Sequence, residues 1–171
     1  DVCVGEVEGK RPDGFDFNNS PHEMLEADLD GKVLIHSTRA GTVGGTAAKK
    51  ADVIYGGSLS VAQATVNAIS RKNADVVTVV AMGWAGHERT DEDEQCALYL
   101  RNLLEGRKPD EGAVRSLILA GKESIKFGDP NQPHFHAEDR DLALEINRAD
   151  FAIRIGEEDG LLVARPEYVS G

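Results

Sequence analysis

Ala74–Ala81 holds Val76, Val77, Val79 and Val80 in one short run. A strand with one wet face alternates apolar and polar residues, and this run does not. It is therefore predicted to be a strand covered on both faces. That requirement constrains the fold more than any other feature, because only helices packed above and below a sheet meet it. The flanking sequence supplies them. Lys32-Val33-Leu34-Ile35-His36 and Asp52-Val53-Ile54-Tyr55 read as further strands, and Val2-Cys3-Val4 reads as the tail of another. Thr42–Ala51, Ser58–Lys72, Thr90–Leu104, Glu111–Ser124 and Ala137–Ala149 read as helices; the second carries Val61, Ala64, Thr65 and Ala68 at helical spacing. Phe151–Ile155 and Leu161–Ala164, separated by a turn at Glu157–Gly160, read as a closing hairpin. The expected class is α/β: a mostly parallel sheet with helices on both faces and a C-terminal β-hairpin. Ligands of such sheets bind outside the carboxyl ends of the strands.

The 171 residues suit one domain over 1–171, in which 5–30 is a long, irregular, site-forming segment with one helical turn at Pro21–Glu26. The formal charge is −11, so the summed field repels phosphate backbones and anionic membranes. Neither nucleic acid nor membrane is an expected partner. A small anionic substrate remains compatible if local cations or a metal offset the field. Cys3 and Cys96 are too few for a disulfide scaffold and read as reduced thiols of a cytoplasmic protein. A homodimer is expected only on symmetry grounds. Asp1 rather than Met opens the sequence, which points to a processed, trimmed or partial chain.

Three segments carry chemistry. Ser37-Thr38-Arg39-Ala40-Gly41-Thr42 lies where a strand ends and a helix begins. Its hydroxyls, guanidinium and amides read either as a cradle for an oxyanion or as an ordinary helix cap on a tight turn. Thr90-Asp91-Glu92-Asp93-Glu94 follows the valine strand and the turn Gly83–His87. Its four carboxylates read as ligands for a hard cation such as Mg²⁺, or as a capping box of Thr90 with Asp93. Asp91 and Glu94 share one helix face, so not all four serve one ion. Gly14-Phe15-Asp16-Phe17-Asn18-Asn19-Ser20-Pro21 offers further polar groups, or an Asx-type turn. His134-Phe135-His136 has no adjacent third ligand and reads as a solvated loop. Trp84 reads as packing. No Gly-x-Gly-x-x-Gly, Walker-type or Gly-x-Ser-x-Gly motif is present.

In this order, the segments resemble the 2-phosphosulfolactate phosphatase family of coenzyme M biosynthesis. Gly5-Glu6, the Gly14-to-Pro21 stretch, the Ser37–Thr42 loop, Gly57-Ser58-Leu59, Gly83 with Gly86, Glu92-Asp93-Glu94 and Asp139 to Asp141 carry the resemblance, from about Gly5 to about Pro166. It implies an α/β, Mg²⁺-dependent phosphoric monoester hydrolase that converts 2-phospho-3-sulfolactate to sulfolactate. The family usually begins with several tens of residues more, including an Asp-x-Leu-Arg-Ala-Thr-Thr stretch absent here. Where it often has Arg-Gly-Gly after its glutamate, this chain has Val7-Glu8-Gly9. The expected site follows. Glu92, Asp93 and Glu94 hold Mg²⁺, and Ser37, Thr38, Gly41, Thr42, Asn19 and Ser20 bind substrate. Asp16, Asn18, Arg39 and Asp93 act on the reacting groups. The alternative is a non-catalytic anion-binding or scaffold homologue of the same fold.

Overall fold

The structure, a computed structural model, describes residues 1–86 and 88–169. It is α/β, built around two small sheets. Strand β1 (Val2–Gly5) pairs in parallel with β2 (Leu34–Ser37), placing Gly5 beside Ser37. Phe17 bridges to Val4 on β1, so the irregular 5–30 segment returns to the sheet before helix α1 (Pro21–Glu26). Ser20 caps α1 by accepting from the Glu23 amide, and Pro21 takes the first helical position, where its missing N–H costs nothing. Helix α2 (Gly41–Ala47) is shorter than the predicted Thr42–Ala51.

Strand β3 (Ile54–Gly56) pairs antiparallel with β4 (Phe151–Glu158), and β4 with β5 (Leu161–Tyr168). The predicted hairpin is present and extends further at both ends. Asp159 and Gly160 both take positive φ, as a two-residue type I′ turn requires.

The valine run departs from expectation. Residues 75–80 have no ladder partner and are not a strand. Val79 packs against the core, whereas Val76 is 81% exposed and Val80 66%. A strand exists only through its neighbours' hydrogen bonds, and no described strand reaches this segment. The expected single, mostly parallel sheet is thus replaced by a parallel pair and an antiparallel triplet.

The core is helical. Helix α3 (Ala62–Arg71), entered through a 3₁₀ turn at Leu59–Val61, packs on α4 (Asp91–Leu104). Helix α5 (Glu111–Ala120) packs against α4. Cys96, Tyr99, Leu100, Leu103 and Leu104 recur at helical spacing and turn one face of α4 towards Ala62, Val66, Val114 and Ile118. A 3₁₀ turn at Lys122–Lys126 follows α5, and α6 (Ala137–Ala143) ends well before the predicted Ala149. The freed segment is used elsewhere: the Asn147 carboxamide accepts from the Gln63 amide and donates to the Tyr99 hydroxyl.

Candidate active site

Four segments far apart in sequence meet near the start of α4. The capping box does not form. Thr90 occupies the cap position, but its hydroxyl is buried without a hydrogen-bond partner. Asp93 instead turns outward and accepts from the Gly83 amide at 2.6 Å. Gly83 has φ of +65°, and a Cβ there would run into the Glu88 carbonyl, so only glycine makes this turn. The next residue, Trp84, lies beneath two cations: the Arg39 guanidinium at 4.9 Å and the Lys126 ammonium at 5.8 Å from its ring centre. The turn at Gly83-Trp84 therefore joins the acidic helix start to the Arg39 loop.

Lys126 arrives by a second tether. The Asp91 carboxylate accepts from the Lys122 amide at 3.1 Å, pinning the 3₁₀ turn to α4. That turn also brings Glu123, which pairs with Lys126 at 2.8 Å. Glu92 is half-buried, and its Oε2 has no hydrogen-bond partner. Burial pushes its carboxyl up from the ordinary value, and the neighbouring Asp93 charge adds to this. Glu94 points away, bonded to Arg89, which holds its carboxyl below the ordinary range. Of the expected acidic trio, Asp93 is held on the Gly83 turn, Glu92 is half-buried within range of the Asp93 charge, and Glu94 is directed to Arg89.

In the Ser37–Thr42 loop, much of the amide cradle is already filled by side chains. Thr38 N donates to Thr42 Oγ1 at 3.3 Å, and Thr42 N to Thr38 Oγ1 at 3.4 Å. The Glu6 carboxylate accepts from Gly9 N at 2.8 Å and Arg39 N at 3.5 Å. Gly41 opens α2 and Ser37 closes β2. The guanidinium of Arg39 lies 4.0 Å from Glu8 and over the Trp84 ring.

The Asp16-to-Ser20 group is placed differently. Asp16 Oδ2 accepts from Cys3 N at 2.8 Å. Asn18 is buried and donates to the Gly9 carbonyl at 3.1 Å, while its Oδ1 accepts from Asn19 N. Asn19 Oδ1 meets His36 Nε2 at 3.0 Å, and Ser20 Oγ donates to Asp139 at 2.8 Å. Asp16 and Asn18 line a cleft of about 560 Å³ with Lys10, Arg11, Glu23 and His134, which does not include Arg39 or Asp93. Glu6, Trp84 and Lys126 are the residues the sequence reading left out of the site. Glu6 had a signal in the Gly5-Glu6 pair; Lys126 had none, because its place depends on the Asp91–Lys122 tether. His87, read as part of the glycine turn, lies outside the described residues.

A half-buried carboxylate with one unpartnered oxygen, that of Glu92, is a donor suited to a hard cation. Residues 1–138 match the family described as 2-phosphosulpholactate phosphatase. A probable 2-phosphosulfolactate phosphatase of Bacillus subtilis is 29% identical over 162 residues, covering 93% of this chain and 69% of that protein. One of Thermoplasma volcanium is 26% identical over 170 residues, covering 99% and 69%. One of Clostridium acetobutylicum is 38% identical over 130 residues, covering 73% and 54%.

Proposed function

The chain belongs to the 2-phosphosulfolactate phosphatase family, and on that premise we propose that it hydrolyses 2-phospho-3-sulfolactate, or a closely similar phosphorylated hydroxy acid, with Mg²⁺ bound at Glu92 and Asp93. The observation that carries this reading is the Gly83-Trp84 turn, which fastens Asp93 on one side and the Arg39 guanidinium on the other. A polyanion cannot settle on a chain of charge −11 without such a focus of positive potential.

Each residue then has a task. Glu92 and Asp93 present oxygen donors, and Asp93 keeps one oxygen on Gly83 N so that its carboxylate cannot swing away. Arg39 takes an oxygen of the substrate through paired N–H groups, with the Trp84 face fixing its plane. Lys126 adds a second cation on the same ring. Glu6 holds the Arg39 backbone in place through its amide. Thr38 and Thr42 stiffen the loop, Ser37 and Gly41 position its two ends, Asn19 borders it through His36, and Ser20 fastens the segment after Asn19 to Asp139. Asp16 and Asn18 brace the start of the sheet beside the Glu6 turn. The ion, when bound, offsets charge on the phosphoryl oxygens and leaving alkoxide.

The test is phosphate release from 2-phospho-3-sulfolactate across a Mg²⁺ titration. Asp93→Asn keeps the acceptor for Gly83 N but loses the charge; it should abolish Mg²⁺-dependent turnover with the far-UV spectrum unchanged. Arg39→Lys keeps charge without the fork and should cost about tenfold to a hundredfold in kcat/KM, the worth of a charged hydrogen bond. Wild-type turnover by Asp93→Asn would reject the metal assignment. Anion binding with no turnover by the wild-type chain would favour the non-catalytic homologue.

A further inference from the structure

We propose that His22, His136 and Glu138 form a second, unrelated metal site, selective for a nitrogen-preferring divalent cation of the Zn²⁺ class, that clamps α1 to α6. One ligand atom from each residue lies within 4.8 Å of the other two. Two imidazoles and one carboxylate are a donor set that favours zinc-like ions over Mg²⁺, which takes oxygen. His134, the sequence neighbour that pairs with His136 on paper, packs on Phe135 at 4.4 Å between ring centres and takes no part in the cluster. The missing ligand comes from α1, over a hundred residues earlier in the chain.

The seam between the two helices is built to hold these ligands. Asp139 is 6% exposed and accepts from both Ser20 Oγ and the His22 amide at 2.8 Å. The turn of α6 that carries His136 and Glu138 thus grips the backbone of His22 directly. The two rings lie 5.2 Å apart, tilted by 53° rather than stacked flat. Glu23 Oε1 lies 3.5 Å from His136 Nε2, so a carboxylate already faces this imidazole, as carboxylates do around ligating histidines. Closing the three ligand atoms onto a zinc-sized ion needs a contraction of about 1–2 Å, given Zn–N near 2.0 Å. Glu138 is exposed, so a rotamer change of its side chain can supply that contraction. With Glu23, Glu138 and Asp139 around the seam, a divalent cation also relieves carboxylate crowding.

Neither Arg39, Asp93 nor Glu92 belongs to this cluster, so the proposal stands or falls apart from the phosphatase reading. The experiment uses the whole chain, with Zn²⁺ alone as the probe and Co²⁺ as a spectroscopic substitute. Expected are one equivalent of Zn²⁺ bound in the presence of excess Mg²⁺, a rise in Tm, and visible Co²⁺ bands typical of imidazole ligation. His22→Gln and His136→Gln should each weaken binding by at least about tenfold, while His134→Gln leaves it unchanged. Glu138→Gln, on an exposed position, gives the same readout should a histidine variant not fold. Binding no tighter than about 1 mM, or equal binding by wild type, His22→Gln and Glu138→Gln, would overturn the proposal.

Discussion

Glu92 shows how one side chain reports on the site. Its carboxyl is half-buried, one oxygen is unpartnered, and its proton affinity is raised by burial and by Asp93. A carboxyl whose folded-state pKa lies above its unfolded value of 4.5 opposes folding when ionised. That penalty is present at neutral pH and fades as pH falls through the raised folded-state value. Glu92→Gln should therefore raise the metal-free Tm at pH 7. The gain should shrink below the folded-state pKa, and stabilisation by Mg²⁺ should disappear. Calorimetry at several pH values, with and without Mg²⁺, measures both. Cys96 sits one helical turn from Asp93, and burial, with the Asp93 charge adding, pushes its thiol up to about 12. Alkylation at pH 8 should spare Cys96 in the native chain and modify it once guanidinium exposes it. Mass spectrometry of the alkylated peptides distinguishes the two states.

At the scale of elements, the turn after the valine run matters more than any helix. Gly83 is the hinge on which Asp93 and Trp84 are both fixed. Gly83→Ala puts a Cβ against the Glu88 carbonyl at positive φ. It should lower stability by about 1–2 kcal/mol and abolish turnover together, because the backbone must move. A urea titration and a phosphatase assay check the pair. Retained activity would show that Asp93 and Arg39 reach the substrate without this turn. The same scale explains the limits of periodicity. Helix α4 was legible because five apolar residues recur on one face. Thr90 is its N-cap, as expected, but the Thr90–Asp93 box does not close, because a tertiary donor, Gly83 N, claims the Asp93 carboxylate. Likewise α6 stops at Ala143 because Asn147 is drawn to Gln63 and Tyr99, contacts no local pattern contains.

At the scale of the whole molecule, 11002 Å² of surface is accessible. A compact monomer of 18.4 kDa exposes about 8,200 Å² by the usual scaling. Part of the excess is apolar: Val33 is 63% exposed, Ile35 52% and Val76 81%, all at segments read as buried strands. The relatives are longer than the part this chain matches, which covers 69% of the Bacillus subtilis protein. The 171-residue chain should bind a hydrophobic dye in its native state, and the pair Val33→Ser with Val76→Ser should reduce that signal. Fluorescence at fixed protein concentration tests it; no native-state dye binding would mean these faces are covered in solution.

The sequence by itself determined which stretches are helical, where the hairpin turns and which residue types are able to do acid, anion and metal chemistry. Those properties follow from side-chain periodicity, φ preferences and caps, all of which act over a few residues. Tertiary structure alone decided that the Gly83-Trp84 turn holds Asp93 and Arg39 near each other while Glu94 pairs with Arg89, that Lys126 reaches the same ring, and that the His136 ring lies against that of His22. Each of these depends on closing a loop between distant segments. Such closure is governed by whichever backbone donor or buried carboxylate meets the returning chain, which no local pattern encodes.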